Sequence, residues 1–442
     1  MEGNQVVPNG ILSATLLLMF KSDPDERSLR RARIAWCAYD WANSAFPTVI
    51  VTFVFSVYFV QGIASDEITG TAQWGYALSV SGVLIALFSP VLGAIADSTG
   101  RRKIWLGFFS AILAICAGSL WFAQPNPSFV FYALIMFGCA NISFEVGQVF
   151  YNAMLPDIVS REKIGRLSGW GWSFGYMGGL ACLVILLIFF LRPEVPPLGL
   201  NPRESEQVRI VGPVVAVWFT LFCLPLFLCI PDSKSRSSRR FQAAFAGVKA
   251  LISTMRTVRR HKNIAWFLCA RIFYVDGINT MFAFGAVYAS GTFGMSTEEV
   301  VLFAIAITLA AGFGAAAFGW VADHIGSKRT IVIALFGLIS LGTPLLVIET
   351  KLWFWLVGIP LGFFMGPAQA ASRSLMAKIA PTDHYSEMFG LFAFSGRATA
   401  FVGPALLATF TAFFESQRIG MSVIVVFIGI GLAILYWKVG EE

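Results

Sequence analysis

Long apolar segments recur along almost the whole chain, and they restrict its fold more than any other feature. Each is about 20 residues or longer, enough for an α-helix to cross a hydrocarbon core about 30 Å thick. Apolar residues make up 57% of the 442 and charged residues only 13%, too few to cover the surface of a soluble protein. We therefore predict an all-α membrane protein with twelve transmembrane helices. The segments are 34–62, 73–96, 104–123, 128–155, 167–191, 208–230, 264–290, 298–321, 330–349, 352–376, 387–414 and 419–438.

Basic residues are concentrated in alternate connections between these segments. Arg30, Arg31 and Arg33 precede the first segment, Arg101–Lys103 follow the second, and the loop at 231–263 holds the largest cluster. Because positive residues are retained on the cytoplasmic side of a membrane, we expect both termini and this loop in the cytoplasm. The net charge of +7 arises largely from these loops. We interpret the long loop as a topology determinant near anionic lipid and expect no nucleic-acid partner.

An internal repeat divides the chain into two halves. The pattern D-x-x-N-[ST]-x-F occurs at 40–46 and again at 276–282, inside the first and seventh segments. A loop pattern, G-x-x-A-D-x-x-G-x-[RK]-[RK], begins at Gly93 and again at Gly319. Ordered matches of this kind indicate a duplicated architecture.

A third match aligns Pro156 with Pro381, at almost the same offset as the loop pattern. Two parallel six-helix repeats, with a binding site near the bilayer midplane between them, are typical of the major facilitator fold. The predicted organisation is a cytoplasmic tail at 1–30, an N-terminal half at 31–230, a basic linker at 231–263 and a C-terminal half at 264–442.

The repeated loop pattern resembles the major facilitator signature between the second and third helices. Its small residues allow helices to approach closely, and an acid such as Asp97 can pair with a basic residue across the interface between the halves. We predict a charge-latched cytoplasmic gate of the kind that alternating access requires. The other interpretation is a topology signal alone. The predicted gate residues are Gly93, Asp97, Gly100, Arg101, Arg102, Gly319, Asp323, Gly326, Lys328 and Arg329.

Three further stretches narrow the resemblance to one branch of that superfamily. The sequences at 38–46, 150–158 and 389–400 are similar to those of the vacuole-effluxer family and its bacterial relatives. This resemblance covers nearly the whole chain except residues 1–30. It implies efflux of amino acids from a compartment, as in autophagic recycling. Because no organelle-targeting extension is recognised, we expect a bacterial cytoplasmic membrane.

Two acid–amide pairs lie inside predicted spans, where ionisable groups are costly and usually functional. Asp40 and Asn43 share one face of the first helix, and Asp276 and Asn279 share one face of the seventh. The resemblance implies that these helices face each other across the pathway, so we expect both pairs around one cavity. Their carboxylates could bind a substrate ammonium group, a sodium ion or a proton. The alternative is a structural hydrogen-bond network.

The fourth segment carries a continuous polar stripe. Asn141, Glu145, Gln148 and Asn152 follow each other at spacings of four, three and four. Lipid cannot face such a stripe, so we expect it to line the cavity or to contact polar partners. Glu145 is the best candidate for a proton relay, unless a buried arginine holds it in a permanent ion pair.

Buried arginines supply the complementary charge. Arg271 and Arg397 could bind a substrate carboxylate, or they could only neutralise the buried acids. Arg373, near the inner end of the tenth helix, is the least clear of the three. A buried acid and a buried arginine together would suit a zwitterion, with the acid near its ammonium group and the arginine near its carboxylate.

We therefore predict a secondary active transporter that moves a small polar or zwitterionic, amino-acid-like solute by proton-linked efflux. The sequence has no G-x-x-x-x-G-K-[ST] loop for ATP, and its cysteines and histidines indicate neither a metal site nor a cofactor. An enzyme would need a nucleophile–base pair that the sequence lacks. By resemblance we expect a monomer. The alternatives are an organic-anion or lipid-like substrate, or a sensor that binds without transporting.

Overall fold

The computed structural model describes residues 24–193, 197–230, 261–295, 297–397, 399–400, 402–414 and 416–441. In these ranges the chain is helical, with no strand. The long helices are α1 (Pro24–Asn43), α2 (Glu67–Thr99), α3 (Arg102–Ser119), α4 (Val130–Ala153), α5 (Ile164–Leu186), α6 (Val211–Cys229), α7 (Lys262–Phe293), α8 (Thr297–Ile325), α9 (Ser327–Leu345), α10 (Lys351–Ile379), α11 (Tyr385–Arg397), α12 (Val402–Phe414) and α13 (Gln417–Lys438). Most of the predicted tail and of the basic linker lie outside the described residues.

The helices have the lengths that a bilayer demands. Eleven stretches of the described chain are long and apolar enough to cross a membrane, and Val402–Thr411 is a shorter apolar helix. The predicted eleventh span, 387–414, differs from expectation because it is divided into α11 and α12 by a turn at residues 399–400. Pro404 accounts for the division, since it lacks the N–H that would bond the carbonyl of Ala400 and its ring would clash there.

Both halves contain the same helix pairs. In the N-terminal half α1 packs on α5 and α6, α4 packs on α2 and α3, and α3 also packs on α6. In the C-terminal half α7 packs on α11 and α13, α10 packs on α8 and α9, and α9 also packs on α13. The interface between the halves is also built from equivalent pairs. The contact of α2 with α11 corresponds to that of α8 with α5, and the contact of α4 with α11 corresponds to that of α10 with α5.

The first helix changes geometry directly after its polar pair. α1 ends at Asn43, and π-helical turns follow at Phe46–Phe53 and Phe59–Ile63. Pro47, at the start of the first π-helical segment, supplies no N–H to the carbonyl of Asn43. Wider helical turns of this type occur frequently at functional sites. The distortion therefore lies beside the residues that the sequence singles out.

Candidate transport site and cytoplasmic gate

A buried ion pair joins the two halves. Arg373 of α10 donates a hydrogen bond of 3.0 Å from Nη1 to Oδ2 of Asp40 on α1. Only 3% of Arg373 and 7% of Asp40 are exposed. The guanidinium also donates from Nε to the Ser168 hydroxyl at 2.8 Å and from Nη2 to the Ser168 carbonyl at 2.6 Å. Asn152 of α4 accepts a longer bond of 3.4 Å from Nη1. We call these four residues the Asp40–Arg373 network.

Aromatic rings surround this network. The Arg373 guanidinium lies 4.6 Å from the ring centroid of Trp36, 5.7 Å from that of Trp172 and 6.0 Å from that of Tyr151. Trp36 and Tyr151 are themselves stacked at 4.6 Å. Cation–π contacts of this kind strengthen when water is excluded. The rings therefore replace the hydration that the buried guanidinium has lost.

Glycine lets α5 approach the network closely. A methyl group on Gly171 would lie 2.5 Å from Oδ2 of Asp40 and 2.8 Å from Nη2 of Arg373. One and two turns further along α5, Gly175 faces Ser44 and Gly178 faces the backbone of Trp41. Small residues at this spacing allow helices to come into near-backbone contact in a membrane. The α1–α5 contact thus fixes where Asp40 stands.

The second acid has a different environment. Asp276 of α7 accepts a 3.0 Å hydrogen bond on Oδ2 from the backbone N–H of Gly403, in the first turn of α12. Asp276 is 2% exposed and Thr280, one turn further along α7, is 1% exposed. Among the described residues, neither Oδ1 of Asp276 nor the Thr280 hydroxyl has a hydrogen-bond partner. Asp276 therefore contacts α12 of its own half, whereas Asp40 bonds across to the other half.

A second set of polar contacts joins the halves nearer the end that carries the basic loops. Asp323 of α8 accepts a 3.0 Å bond from the backbone N–H of Arg166, in the first turn of α5, and its other oxygen lies 3.3 Å from Nε of Arg166. The Arg166 guanidinium also stacks over Trp320 at 3.7 Å. An acid at a helix N-terminus is stabilised by the free N–H groups and by the helix dipole. Asp323 thus holds the start of α5 to α8.

Arg102 makes the equivalent connection on the other side of the interface. Its Nη1 lies 2.8 Å from Oδ2 of Asp157, and its Nε donates a 2.9 Å bond to the Ser386 hydroxyl of α11. Gly93 of α2 lies against the backbone of Ser386, where a side chain would collide. The beginning of α11 is therefore held against α2 and α3, as α5 is held against α8.

Several polar contacts at the opposite end lie inside one half. The Tyr58 hydroxyl donates to the carbonyl of Ala123, and Arg209 donates to the carbonyl of Trp121. In the C-terminal half, Arg418 donates to the carbonyl of Leu346. The described polar ties between the halves include Asp40–Arg373, Arg166–Asp323 and Arg102–Ser386, and the last two hold the halves together at the end predicted to face the cytoplasm.

Comparisons with known proteins agree with this architecture. The sequence profile described as "Vacuole effluxer Atg22 like" matches residues 56–441, most of the chain. The chain belongs to this family. It is 28% identical over 406 residues to the "Uncharacterized MFS-type transporter YxiO" of Bacillus subtilis, covering 91% of this chain and 93% of that protein. Over 291 residues it is 23% identical to "Autophagy-related protein 22" of Cryptococcus neoformans, which is 61% of this chain and about half, 49%, of the longer relative.

A solved structure shows the same fold. The proton:xylose symporter XylE, bound to 6-bromo-6-deoxy-D-glucose, superposes with a TM-score of 0.70 at 13% identity, covering 94% of this chain and 97% of XylE. The predicted major facilitator fold and the resemblance to the vacuole effluxers are confirmed. This member of the Atg22-like family is a multi-pass integral membrane protein and an MFS-type transporter, and its relatives are transporters rather than enzymes.

In this transporter the polar stripe of α4 divides into parts with different contacts. Asn141 donates a 2.8 Å bond to the Ser81 hydroxyl of α2, and Asn152 belongs to the Asp40–Arg373 network. Glu145 and Gln148, between them, are half-buried. The two ends of the stripe therefore contact different helices, α2 at Asn141 and α10 at Asn152.

The remaining predicted binding residues lie at three different places. Asn43 is buried beside Ser44, whose hydroxyl lies 3.4 Å from its side-chain oxygen, while its counterpart Asn279 is exposed. Arg271 lies only five residues before Asp276, but its Nη1 bonds to the Ser395 hydroxyl at 2.8 Å and its guanidinium stacks over Phe392. The side chain of Arg397 lies outside the described part of the chain.

The predicted gate residues also separate. Asp323 and Arg102 join the halves, and Gly100 and Gly326 have the positive φ values, 64° and 91°, that glycine tolerates. Lys328 instead donates to the carbonyl of Val439 at the end of α13, in its own half. Its neighbour Arg329 pairs with Glu441, and Arg101 is exposed. The Asp97 side chain lies outside the described residues.

The sequence analysis did not include Arg373 in the predicted binding site. Arg373 was the least clear of the three arginines because its partner Asp40 is 333 positions away along the chain. The repeat offset of 225 offered a signal, since it aligns Arg373 with Gln148 of the polar stripe. Ser168, Arg166 and Ser386 were missed as well, because short polar residues near helix ends are common and carry little information.

Proposed function

We propose that this transporter moves a small zwitterionic, amino-acid-like solute across a bacterial cytoplasmic membrane by proton-linked efflux. The observation that carries the proposal is the Asp40–Arg373 pair, which presents an anion and a cation side by side between the halves. An amino acid has the complementary pair of charges. Its carboxylate suits the planar donors of a guanidinium, and its ammonium group suits a carboxylate.

Because the Asp40–Arg373 pair is buried, the two halves would need a bound solute in order to separate. Separating a buried ion pair leaves two unpaired charges, at a cost of about 3–5 kcal/mol when one partner is lost. A zwitterion placed between Asp40 and Arg373 would satisfy both charges as the halves part. The halves would then separate readily with solute bound and only rarely without it, which is the requirement for alternating access.

Family membership supports efflux as the direction, because the profile that matches this chain describes vacuole effluxers. The proton link is supported by buried acids in the spans, since such groups commonly relay protons in transporters. Three acids are candidates for the proton carrier: Asp40, Glu145 and Asp276.

Counterflow in proteoliposomes tests this function. Labelled amino acids would be taken up against an unlabelled internal pool, with and without an imposed pH gradient, by the wild type, Asp40→Asn and Arg373→Gln. We expect uptake by the wild type, stimulation by the gradient, and loss of uptake in both variants. Arg418→Gln, a change to an arginine at the opposite end, serves as the control and should transport normally. Absence of amino-acid flux from folded, inserted wild type would refute the zwitterion assignment.

One observation favours a second substrate class. Arg271 is a half-buried cation whose buried Nε has no hydrogen-bond partner among the described residues, and its described contacts are a hydroxyl, a carbonyl and a ring. A cation with spare donor capacity suits an organic anion. Counterflow of labelled dicarboxylates in place of amino acids, lost in Arg271→Gln, would establish that alternative. Binding of either solute without flux would indicate a sensor.

A further inference from the structure

We propose that Asp276 is the residue that takes up and releases the coupled proton, and that its protonation loosens the hold of α7 on α12. This inference rests on the proposed proton-linked function and deepens it by assigning the proton to one of three candidate acids. The assignment comes from the contacts of Asp40 and Asp276, which differ although the sequence motifs of these two acids match.

Asp40 is poorly suited to this role in the closed state. Its Oδ2 already receives a hydrogen bond from a guanidinium that three further bonds fix in place. The guanidinium of Arg373 thus occupies this oxygen of Asp40. Asp276, in contrast, receives one bond from a neutral backbone N–H, and its Oδ1 has no partner among the described residues.

A small gap lies beside Oδ1 of Asp276, the oxygen without a described partner. The Thr280 hydroxyl is also buried without a described partner, and a methyl group on Gly403 would collide with it and would lie 3.0 Å from Oδ1 of Asp276. The absence of a side chain at Gly403 therefore leaves both oxygens facing one small gap. In the protonated acid the new O–H bond forms on Oδ1, and we assign the hydroxyl of Thr280, which faces the same gap, as its acceptor. Release returns the proton to water without any other change in bonding.

Other charged groups near α7 have their own partners. Arg271 contacts Phe392 and Ser395 of α11, and the Tyr274 hydroxyl bonds to Ser372 of α10 at 2.7 Å. The sequence of α12 contains no ionisable residue. The side chain of Arg397 lies outside the described residues. Charged groups on the other helices packed against α7 have contacts near helix ends or with the other half: Arg418 and Lys438 of α13, Glu387 of α11, Glu299 and Asp323 of α8, and Lys351 and Arg373 of α10. His324 of α8 bonds to the carbonyl of Trp320, Lys378 of α10 interacts with Asp323, and the side chain of Glu298 lies outside the described residues.

The position of Asp276 connects its charge to the gate. Helix α7 holds both sides of the break at 399–400, with Arg271 on α11 and Asp276 on α12. Hydrogen bonds to an ionised acceptor are roughly twice as strong as those to a neutral one, so protonation weakens the contact with α12. The other end of α11 carries Ser386, which Arg102 holds at the cytoplasmic closure. Uptake of a proton therefore gives α11 and α12 freedom to move relative to each other, as opening requires.

The test separates proton coupling from solute exchange. Proteoliposomes containing a pH-sensitive dye would report protons that move with a labelled amino acid, and counterflow would be measured in parallel. We expect Asp276→Asn to lose solute-linked proton movement and gradient-driven accumulation while exchange continues, because exchange needs no net proton cycle. Glu299→Gln neutralises an acid that pairs with Lys351 at the end of the protein opposite the basic loops, and it should behave as the wild type. Accumulation that persists in Asp276→Asn, or that follows a sodium gradient instead, would overturn the assignment.

A second measurement does not depend on transport, and it does not rest on a single variant that could fail to fold. Infrared difference spectra of the purified wild type, recorded across pH, should show a carboxylic-acid C=O band that disappears in Asp276→Asn. In Thr280→Val, which keeps the acid, the band should require more acidic conditions because the acceptor for the O–H is gone. An unchanged band in both variants would refute the proposal. If the wild type transports no amino acid, the proposed function fails, and these spectra still decide whether Asp276 takes up a proton.

Discussion

Arg373 is the residue on which the closed state depends most, because it bonds to side chains from three helices of the other half. Removing one partner of a buried pair usually costs about 3–5 kcal/mol, whereas replacing both with neutral groups costs far less. We therefore expect Asp40→Asn and Arg373→Gln each to lower the melting temperature of the purified protein clearly. The melting temperature of the double variant should fall by less than the sum of the decreases in the two single variants. Thermal melts in one detergent measure all four forms, and strictly additive losses would show that the pair is not coupled.

Asp323 also joins the two halves, because its carboxylate caps the N-terminus of α5 in the opposite half. Loss of an N-terminal cap costs about 0.5–2 kcal/mol. We expect Asp323→Ala to shift the protein toward the inward-open state, detected as a longer distance between spin labels on the cytoplasmic ends of α5 and α8. Arg329→Ala provides the matched control, since Arg329 pairs with Glu441 inside its own half and lies in the same motif. An equal shift in the control would contradict the gate assignment for Asp323.

Among the helices, α5 shows how glycine fixes the distance between elements. A methyl group on Gly178 would lie 2.7 Å from the Trp41 Cα, so α1 and α5 would have to separate. Overpacking of this kind costs about 1–3 kcal/mol. We expect Gly178→Ala to lower the melting temperature and impair counterflow. Gly138→Ala on α4 is the control: a methyl group there meets no atom within 4 Å, and alanine is the better helix former. A normal Gly178→Ala protein would indicate that the helices can adjust without loss.

The positions of the helices could be predicted from the sequence. A bilayer requires apolar segments of a set length, and these must be helical because lipid offers no hydrogen-bond partner to the backbone. The duplicated motifs also pointed to Asp40, Asp276 and the gate loops. The sequence did not define how each helix is rotated, and α10 illustrates the consequence. It is apolar on most sides, so nothing local showed that Arg373 faces α1. The break between α11 and α12 was missed for a similar reason, since hydropathy continues across Pro404 and only the backbone is interrupted.

At the scale of the whole molecule, the polar ties that join the halves at the basic-loop end predict an outward-open state. Asn279 is exposed at mid-span on α7, where a polar side chain facing lipid would be costly. We expect Asn279→Cys, in a background without the seven native cysteines, to react with a membrane-impermeant thiol reagent added from outside. The same substitution at the buried Ser372, as a control, should react poorly. Labelling of position 279 only from the cytoplasmic side would reverse the assigned orientation.

The rings around Arg373 have a consequence for permeability. A protein that works in an energised membrane has to stop small cations from leaking through it between transport cycles. In channels that exclude protons, a fixed arginine supplies an electrostatic barrier inside a narrow pore. Here Trp36, Tyr151 and Trp172 leave little room for water around the guanidinium. We therefore expect the rings beside the proposed solute-binding pair to limit ion leakage while no solute is bound.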